Sequence, residues 1–278
     1  MDKNHKVKVI FNINIPWITN IPIQQIPCLI CGERNISPLN TFILNGERFY
    51  TVQCISDQMM WLDPQPTSEF YHKLYAEHYH LGAPDDPLLE QATLDVHSDK
   101  KKNQETAIMR LNEIEEFTNT GRLLDVGFGN GCVLIEAKRR NWEVFGIEVS
   151  PFCVELIKTK GIPVACTDLL NYTGQEKSFD VITMYSVIEH THNPIRYLQR
   201  VYNLLKPNGI LVIRLPDTPE DGPPASLIAH LYHFNILTIS KLLERYSFKV
   251  LKIGSFGLWK PKKYPGELWS MNVISRKI

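Results

Sequence analysis

Acidic side chains and closely spaced glycines are the residues of this 278-residue chain most suited to holding a polar ligand. Asp125 lies near the end of an apolar run; Gly127, Gly129 and Gly131 follow at alternate positions, and a helix is predicted directly after them. Glycine permits a tight turn and lets a ligand approach the backbone, and the first amides of a helix attract negative groups. This segment therefore predicts a ligand-binding turn between a strand and a helix.

Two further acids follow the next two predicted strands. Glu148 comes directly after the apolar run 144–147, where a carboxylate can accept hydrogen bonds from both hydroxyls of a ribose. Asp168 follows the run 162–165, where it could accept a hydrogen bond from an adenine amino group. The glycines are spaced G-x-G-x-G, whereas dinucleotide dehydrogenases favour G-x-G-x-x-G. The ordered set of acids and glycines therefore favours a cofactor without a pyrophosphate.

The elements that must position these side chains alternate along the chain from residue 122 onward. Apolar runs that predict strands lie at 123–126, 144–147, 162–165, 181–185, 210–215, 248–253 and 268–274. One helix is predicted to begin at Pro194, where the fixed φ of proline suits the first turn, and another to span 239–246. Strands that alternate with helices build a parallel sheet covered on both faces.

The net charge of the chain and the length of its apolar runs limit which partners are expected. Lys and Arg number 30 and Asp and Glu number 30, so the formal net charge is +0. A whole-surface nucleic-acid binder usually has a basic excess, so nucleic acid is not an expected partner. No apolar run approaches the roughly 18 residues of a membrane helix. We therefore expect no membrane partner and a cytoplasmic location.

Three segments resemble a known family. Residues 123–131, 179–194 and 204–215 resemble the class I S-adenosylmethionine-dependent methyltransferases, especially the group called type 11, 12 or 23. The second segment carries E-H followed by N-P after the fourth predicted strand, and the third carries L-K-P-N-G before the fifth. The resemblance implies an α/β fold, with a Rossmann-like seven-stranded class I methyltransferase sheet over residues 119–278, and S-adenosyl-L-methionine as the cofactor.

The resemblance also implies a role for each cofactor-site residue. In the family, the first acid and the glycines surround the methionine part of the cofactor, the second acid binds ribose and the third binds adenine. These roles pass, in that order, to Asp125, Gly127, Gly129, Gly131, Glu148 and Asp168. Three more residues are assigned to the same site: Leu169, Tyr185 and Tyr79, the last in a helical cap or linker over residues 67–118.

The cysteines of residues 1–66 suggest a separate small module. Cys28 and Cys31 form a C-x-x-C-G turn that can point two thiolates at one zinc ion, and Cys54 and Asp57 lie where a second pair is expected. Residues 28–66 resemble the zinc-ribbon segment ahead of some methyltransferase domains, including sugar C-methyltransferases, in which a cysteine stands at the Asp57 position. The sequence leaves three alternatives for these cysteines: a structural Zn²⁺ site, a metal-free remnant of such a site, or a disulfide. The fourth zinc ligand would be Asp57, His72, His78 or His80.

Histidines near the predicted strand ends are candidates for moving a proton. His190 is the first candidate for a general base, because histidine titrates near neutral pH, and His230 and His233 are further catalytic candidates. The E-H pair could instead brace its loop. Quinone-type members of this group often show E-x-x-E-H, which can hold a divalent metal, but its first position here is Ser186. Metal-assisted methylation of a catechol-like acceptor is therefore disfavoured.

The expected function is methyl transfer from S-adenosylmethionine to a small polar metabolite. A sugar or nucleotide-sugar acceptor is preferred, and this preference rests only on the zinc-ribbon resemblance. Two alternatives are kept. One is a zinc-ribbon methyltransferase that modifies RNA, and the other is a non-catalytic protein that binds the cofactor.

Overall fold

The computed structural model describes residues 8–13, 21–73, 100–218, 230–259 and 268–278. The strands in these ranges are β1 Lys8–Ile13, β2 Ile23–Gln24, β3 Ile36–Leu44, β4 Glu47–Cys54, β5 Met60–Asp63, β6 Gln65–Pro66, β7 Arg122–Val126, β8 Glu143–Glu148, β9 Val164–Cys166, β10 Phe179–Tyr185, β11 Leu205–Asp217, β12 Tyr232–His233, β13 Phe248–Trp259 and β14 Leu268–Lys277. The α-helices are α1 Ser68–Lys73, α2 Lys100–Glu115, α3 Cys132–Arg139, α4 Pro151–Lys158, α5 Pro194–Leu204 and α6 Ile236–Arg245, with 3₁₀ turns at Leu169–Asn171 and Ile188–His190.

A seven-stranded sheet forms the larger part of the fold. Its strand order is β13-β14-β11-β10-β7-β8-β9. Strands β7 to β11 pair in parallel, and β14 is antiparallel to both of its neighbours. Strands covered on both faces are buried along most of their length, as β7 and β10 are. The predicted Rossmann-like seven-stranded sheet is thus confirmed.

Helix ends explain where the structure differs from the predicted elements. Helix α5 begins at Pro194 as predicted, but the Asn193 side chain makes no capping bond. The last helix begins at Ile236, three residues before the predicted start. There Asn235 accepts a hydrogen bond from the Thr238 amide at 2.9 Å, and the Thr238 hydroxyl accepts one from the Asn235 amide at 3.0 Å. This reciprocal cap fixes the earlier start. None of the helices in the described ranges is long and apolar enough to cross a membrane.

A second sheet joins the N-terminal strands to a late segment of the chain. Its order is β1-β3-β4-β5-β12, and β12 pairs antiparallel with β5, so that Tyr232 faces Trp61 and His233 faces Met60. The Leu231 carbonyl oxygen accepts hydrogen bonds at 3.0 Å from the Leu62 amide and from the Gln65 side chain. Strand β12 and the preceding Leu231 are therefore bound to the N-terminal strands.

One apolar core runs through both sheets. Its buried members include Phe42 and Trp61 from the N-terminal strands, Leu231 beside β12, and Leu124 and Leu211 from the large sheet. A second core cluster includes Leu111 of α2 and residues of α3 and α4. The division into residues 1–66, 67–118 and 119–278 stays a prediction. The shared core nevertheless implies that the N-terminal strands unfold together with the large sheet.

We expect Trp61→Ala to lower the free energy of unfolding of the whole chain by about 3–5 kcal/mol, because the side chain is 0% exposed within this shared core. Denaturant unfolding followed by far-ultraviolet circular dichroism should show one transition at lower denaturant. The control Ile55→Ala, at a side chain 61% exposed, should change stability by less than about 0.5 kcal/mol. An early separate transition that leaves the main one unmoved would contradict the shared core.

Candidate active site

The glycine turn between β7 and α3 has the conformation that only glycine adopts easily. Gly127, Gly129 and Gly131 have φ of 67°, 51° and 68°. A Cβ on Gly127 would lie 2.6 Å from Val187 Cγ2, and one on Gly131 would overlap Ile157. A Cβ on Gly129 would meet no atom of the described residues within 4 Å, so this part of the structure leaves space beside Gly129. The turn therefore packs closely at its two ends and leaves its middle accessible to a ligand.

Glu148, at the end of β8, reaches back to this turn. Its Oε2 accepts a hydrogen bond from the Gly129 amide at 3.0 Å, and its Oε1 accepts from the amides of Val149 at 2.8 Å and Ser150 at 3.0 Å. Burial raises the pKa of Glu148, and the three amides oppose that rise. A carboxylate has about four acceptor positions. Glu148 therefore keeps capacity to accept a ligand hydroxyl beside the open glycine.

Asp168 lies one strand further along the same edge of the sheet. Its Oδ1 accepts from the Leu170 amide at 2.7 Å, which caps the 3₁₀ turn, and its Oδ2 accepts from the Tyr197 hydroxyl of α5. Burial and then the Asp168 charge raise the pKa of Tyr197, so this hydroxyl stays protonated as the donor. Leu169 is buried in the main core. Asp168 is thus fixed in place by two elements.

Asp125 is the most deeply buried of the three acids at this edge of the sheet. Its Oδ1 accepts from Thr183 Oγ1 at 2.7 Å, and the side chain is 2% exposed. Burial raises the pKa of Asp125 to about 7, although the Thr183 bond and the Arg110 guanidinium oppose the rise. That guanidinium lies 3.9 Å above the Tyr185 ring. Asp125 and Tyr185 are therefore linked through Arg110 of α2.

A cluster of one acid and three imidazoles lies past the end of β10. Glu189 Oε1 is 3.9 Å from His190 Nε2; the Glu189 side chain is 1% exposed and that of His190 is 20% exposed. The rings of His190 and His230 are 4.8 Å apart, and those of His230 and His233 are 6.2 Å apart. The Leu231 amide donates to the Glu189 carbonyl oxygen at 2.8 Å, which joins the two segments. The three histidines predicted from the sequence are thus brought together.

Burial controls protonation in this histidine cluster. It raises the pKa of Glu189 to about 8. It lowers the pKa of His233 to about 3, and that of His230 well below its usual value, where the imidazoles of His190 and His233 add to the effect. Sequence reasoning did not assign Glu189 to the site. The E-H pair was the available signal, but burial of the carboxylate depends on the fold around it.

The histidine cluster and the glycine turn share one edge of the sheet. Strands β10 and β7 are parallel neighbours, with Met184 opposite Val126, so the residues that follow each strand are adjacent. The contact between Val187 and Gly127 joins the two segments directly. A ligand bound at the turn would therefore have the cluster beside it.

The predicted N-terminal metal ligands also come together. The thiol sulfurs of Cys28, Cys31 and Cys54 and a carboxylate oxygen of Asp57 all lie within 4.8 Å of one another. Cys31 and Cys54 Sγ are 3.6 Å apart, and Asp57 Oδ2 is 4.0 Å from Cys28 Sγ and 3.9 Å from Cys54 Sγ. The Ile30 amide points to Cys28 Sγ at 3.4 Å. This donor set fits one tetrahedral Zn²⁺.

Some candidates cannot be placed. Tyr79, His78 and His80 lie outside the described residues, as does the side chain of His72. Asp57 is thus the fourth ligand candidate that the described structure places beside the three thiols.

A family model described as a methyltransferase domain matches residues 99–253, more than half of the chain. The chain belongs to the methyltransferase domain family. This membership agrees with the resemblance of the glycine turn and of the E-H and L-K-P-N-G segments.

Curated relatives match only in part. A ubiquinone biosynthesis O-methyltransferase of Cereibacter sphaeroides is 32% identical over 97 residues, 33% of this chain and 39% of the relative. The ubiquinone/menaquinone biosynthesis C-methyltransferase UbiE of Geotalea daltonii is 31% identical over 135 residues, 45% of this chain and 56% of the relative. The chain therefore spans about half the length of these relatives, or less.

A solved structure shares the fold over most of the chain. It is 1,6-didemethyltoxoflavin-N1-methyltransferase of Burkholderia thailandensis, with a TM-score of 0.59 and 19% identity. The match covers 79% of this chain and 94% of that protein. At this identity the likeness supports the fold alone.

The raised pKa of Asp125 predicts a pH dependence of stability. The folded chain holds this proton up to about pH 7, whereas an unfolded aspartate loses it near pH 4. The stability that the folded chain gains by holding this proton is fully present below the unfolded pKa of Asp125. It is lost as pH rises through the folded pKa. Asp125→Asn, which keeps an acceptor for Thr183 but cannot titrate, should gain stability relative to the parent by up to about 1.4 kcal/mol per pH unit between pH 4 and 7.

Urea unfolding at pH 5, 6 and 7 measures this change. Asp180→Asn is the matched control. Burial raises the pKa of Asp180, but the hydrogen bonds from Lys206 and the Arg122 amide outweigh burial and lower the pKa. Its stabilising effect is complete above the unfolded pKa, so its difference from the parent should stay constant over pH 5–7. A difference for Asp125→Asn that is equally constant would contradict the assignment of a protonated buried carboxyl.

Proposed function

We propose that the chain transfers a methyl group from S-adenosylmethionine to a small-molecule acceptor. The observation that carries this proposal is the buried Glu148 carboxylate, held by the Gly129 amide next to the open side of the glycine turn. Membership of the methyltransferase domain family supports it. So does the structural neighbour from Burkholderia thailandensis, which is described with bound S-adenosylhomocysteine.

The residues present fit this cofactor. The space beside Gly129 would be filled by any side chain, and no Cβ occupies it. In the proposed complex Glu148 accepts the ribose hydroxyls, Asp168 faces the adenine, and the turn at Gly127–Gly131 surrounds the methionine part. Asp125 joins β7 to β10 just before this turn, through its hydrogen bond with Thr183. Leu169, Tyr185 and Tyr79 remain assigned to the same site as part of the proposal.

The chain's own contribution to the reaction is alignment and control of one proton. When bound, the cofactor supplies an electrophilic methyl carbon, so correct orientation of an acceptor accounts for much of the rate. His190 is partly exposed at the sheet edge where donor and acceptor would meet. Burial lowers the pKa of His230 and of His233, so these two imidazoles are poor proton acceptors. An acceptor that must lose a proton would therefore deliver it through His190.

The acceptor class follows from the relatives only in broad terms. The two curated relatives are named for quinone biosynthesis, one as an O-methyltransferase and one as a C-methyltransferase. These names support a small-molecule acceptor, but they give no support to the sugar expected from the zinc-ribbon resemblance. The fold itself hosts many acceptors and does not name one.

Affinity for the cofactor tests the role of Glu148. Glu148→Gln replaces charge-assisted hydrogen bonds with weaker neutral ones, so affinity for S-adenosylhomocysteine should fall by about tenfold to a hundredfold. Titration calorimetry measures this. Glu155→Gln, at an exposed side chain on α4, is the control and should bind as the parent does. Equal affinity in Glu148→Gln and the parent would refute the ribose assignment.

Transfer itself is tested with methyl-labelled S-adenosylmethionine and an extract of the source cells separated by size. Label should enter the low-mass fraction, and Glu148→Gln should reduce it at limiting cofactor. Label in the RNA fraction would favour the RNA-modifying alternative. Cofactor binding without label in any fraction would favour a binding protein and contradict methyl transfer.

We further propose a structural Zn²⁺ held by Cys28, Cys31, Cys54 and Asp57. Zinc in such a site contributes folding energy directly. Elemental analysis of reduced, zinc-loaded protein should show about one equivalent fewer in Cys31→Ser than in the parent. The control Cys166→Ser, at an exposed cysteine outside the cluster, should lose none. Equal zinc in Cys31→Ser and the parent would favour the metal-free remnant.

A further inference from the structure

Three potential metal ligands meet at the acceptor side of the site. One ligand atom each from Glu189, His190 and His230 lies within 4.8 Å of the others. Glu189 and His190 belong to the 3₁₀ turn after β10, whereas His230 lies just before β12. The hydrogen bond from the Leu231 amide to the Glu189 carbonyl oxygen fixes these two segments together. This backbone hydrogen bond thus holds the three side chains close together.

The burial of the Glu189 carboxylate also indicates that this cluster binds a ligand. The Glu189 side chain is 1% exposed, and neither oxygen makes a close hydrogen bond with a described residue, although the backbone amides of Glu189 and Val187 face the carboxylate. Nearly all buried polar groups in proteins are satisfied, and a buried carboxylate without a partner is costly. Both oxygens are therefore available to a cation that enters the cluster.

We propose that Glu189, His190 and His230 bind a divalent first-row transition-metal ion. Two imidazoles and one carboxylate suit Zn²⁺, Co²⁺ or Fe²⁺, whereas Mg²⁺ and Ca²⁺ prefer oxygen ligands. Ligands about 2.0–2.2 Å from one ion lie about 3–3.5 Å apart. The 3.9 Å between Glu189 Oε1 and His190 Nε2 is close to that spacing, so small side-chain rotations complete the site.

This ligand set differs from the E-x-x-E-H pattern considered in the sequence. Ser186 occupies the first position of that pattern and is exposed. His230, from the segment beyond β11, takes the place of the missing ligand. The result is a nitrogen-rich site with three protein ligands, which leaves coordination positions free. The His190 side chain is 20% exposed, so solvent or a small ligand can reach the cluster from its side.

The role of the ion rests on the proposed function. A hydroxyl acceptor bound at a free coordination position would become more acidic and would be oriented for attack. With an ion bound, His190 would hold the ion instead of serving as the base proposed above, and the hydroxyl proton would pass to solvent. Metal binding itself needs neither the cofactor nor an acceptor, so it can be measured independently of methyl transfer.

Titration of metal-free, reduced protein with Co²⁺ tests the site by visible and near-ultraviolet absorption. A Co²⁺ bound by imidazole and carboxylate gives visible ligand-field bands without the thiolate charge-transfer band that the cysteine cluster would add. The parent should bind one Co²⁺ of this kind. Loss even of an outer-sphere partner can cost about 10–100-fold in affinity, so Glu189→Gln and His230→Gln should weaken this binding at least as much.

Matched variants separate the outcomes. His192→Gln removes a nearby imidazole whose Nε2 lies 2.8 Å from the Pro66 carbonyl oxygen, and it should keep the site. Cys31→Ser should lose only the thiolate band. S-adenosylhomocysteine affinity within a few fold of the parent shows that a variant is folded, and His190→Gln, at the partly exposed ligand, serves if the buried variants fail to fold.

The proposal is overturned if the parent binds no Co²⁺ outside the cysteine cluster, or if folded ligand variants bind it as the parent does. Failure of the parent to bind S-adenosylhomocysteine while Co²⁺ binding survives would instead contradict the proposed function.

Discussion

The placement of the Glu148 carboxylate is the constraint on which the rest of the site depends. It is buried at the end of β8 and held by three backbone amides, one of them from Gly129 in the turn of the neighbouring strand. That bond requires β7 and β8 to be parallel neighbours and requires the turn to fold back with positive φ. The sheet order, the glycines and the carboxylate are therefore parts of one arrangement.

The second sheet gives the site its other half. By pairing with β5, β12 brings His230 and His233 beside Glu189, which the large sheet positions at the end of β10. The N-terminal strands thus help to build the acceptor side, whereas the proposed cofactor residues in the described ranges belong to the large sheet or to the turns that follow its strands. A shared apolar core means that neither half is stabilised alone. The cysteine-rich residues 1–66 therefore position the acceptor side of the site by pairing with β12, although they supply no predicted cofactor-binding residue.

The sequence predicted those features that local patterns determine. The G-x-G-x-G turn after an apolar run indicated where Gly129 lies, and apolar runs gave the seven strands of the large sheet. The start of α6 was missed because the Asn235 cap is a side-chain interaction and not a periodicity. The burial of Asp125 and Glu189 was also missed, since exposure depends on packing from distant segments. The sequence made His230 a catalytic candidate, but its closeness to Glu189 comes from β12 pairing with β5, which no local pattern reveals.

A crystal structure of the chain with S-adenosylhomocysteine tests the central claim most directly. We expect both ribose hydroxyls within hydrogen-bonding distance of the Glu148 carboxylate, the amino-acid part against the turn at Gly127–Gly131, and the sulfur on the side that faces His190. A ligand bound elsewhere, or one whose ribose does not contact Glu148, would contradict it.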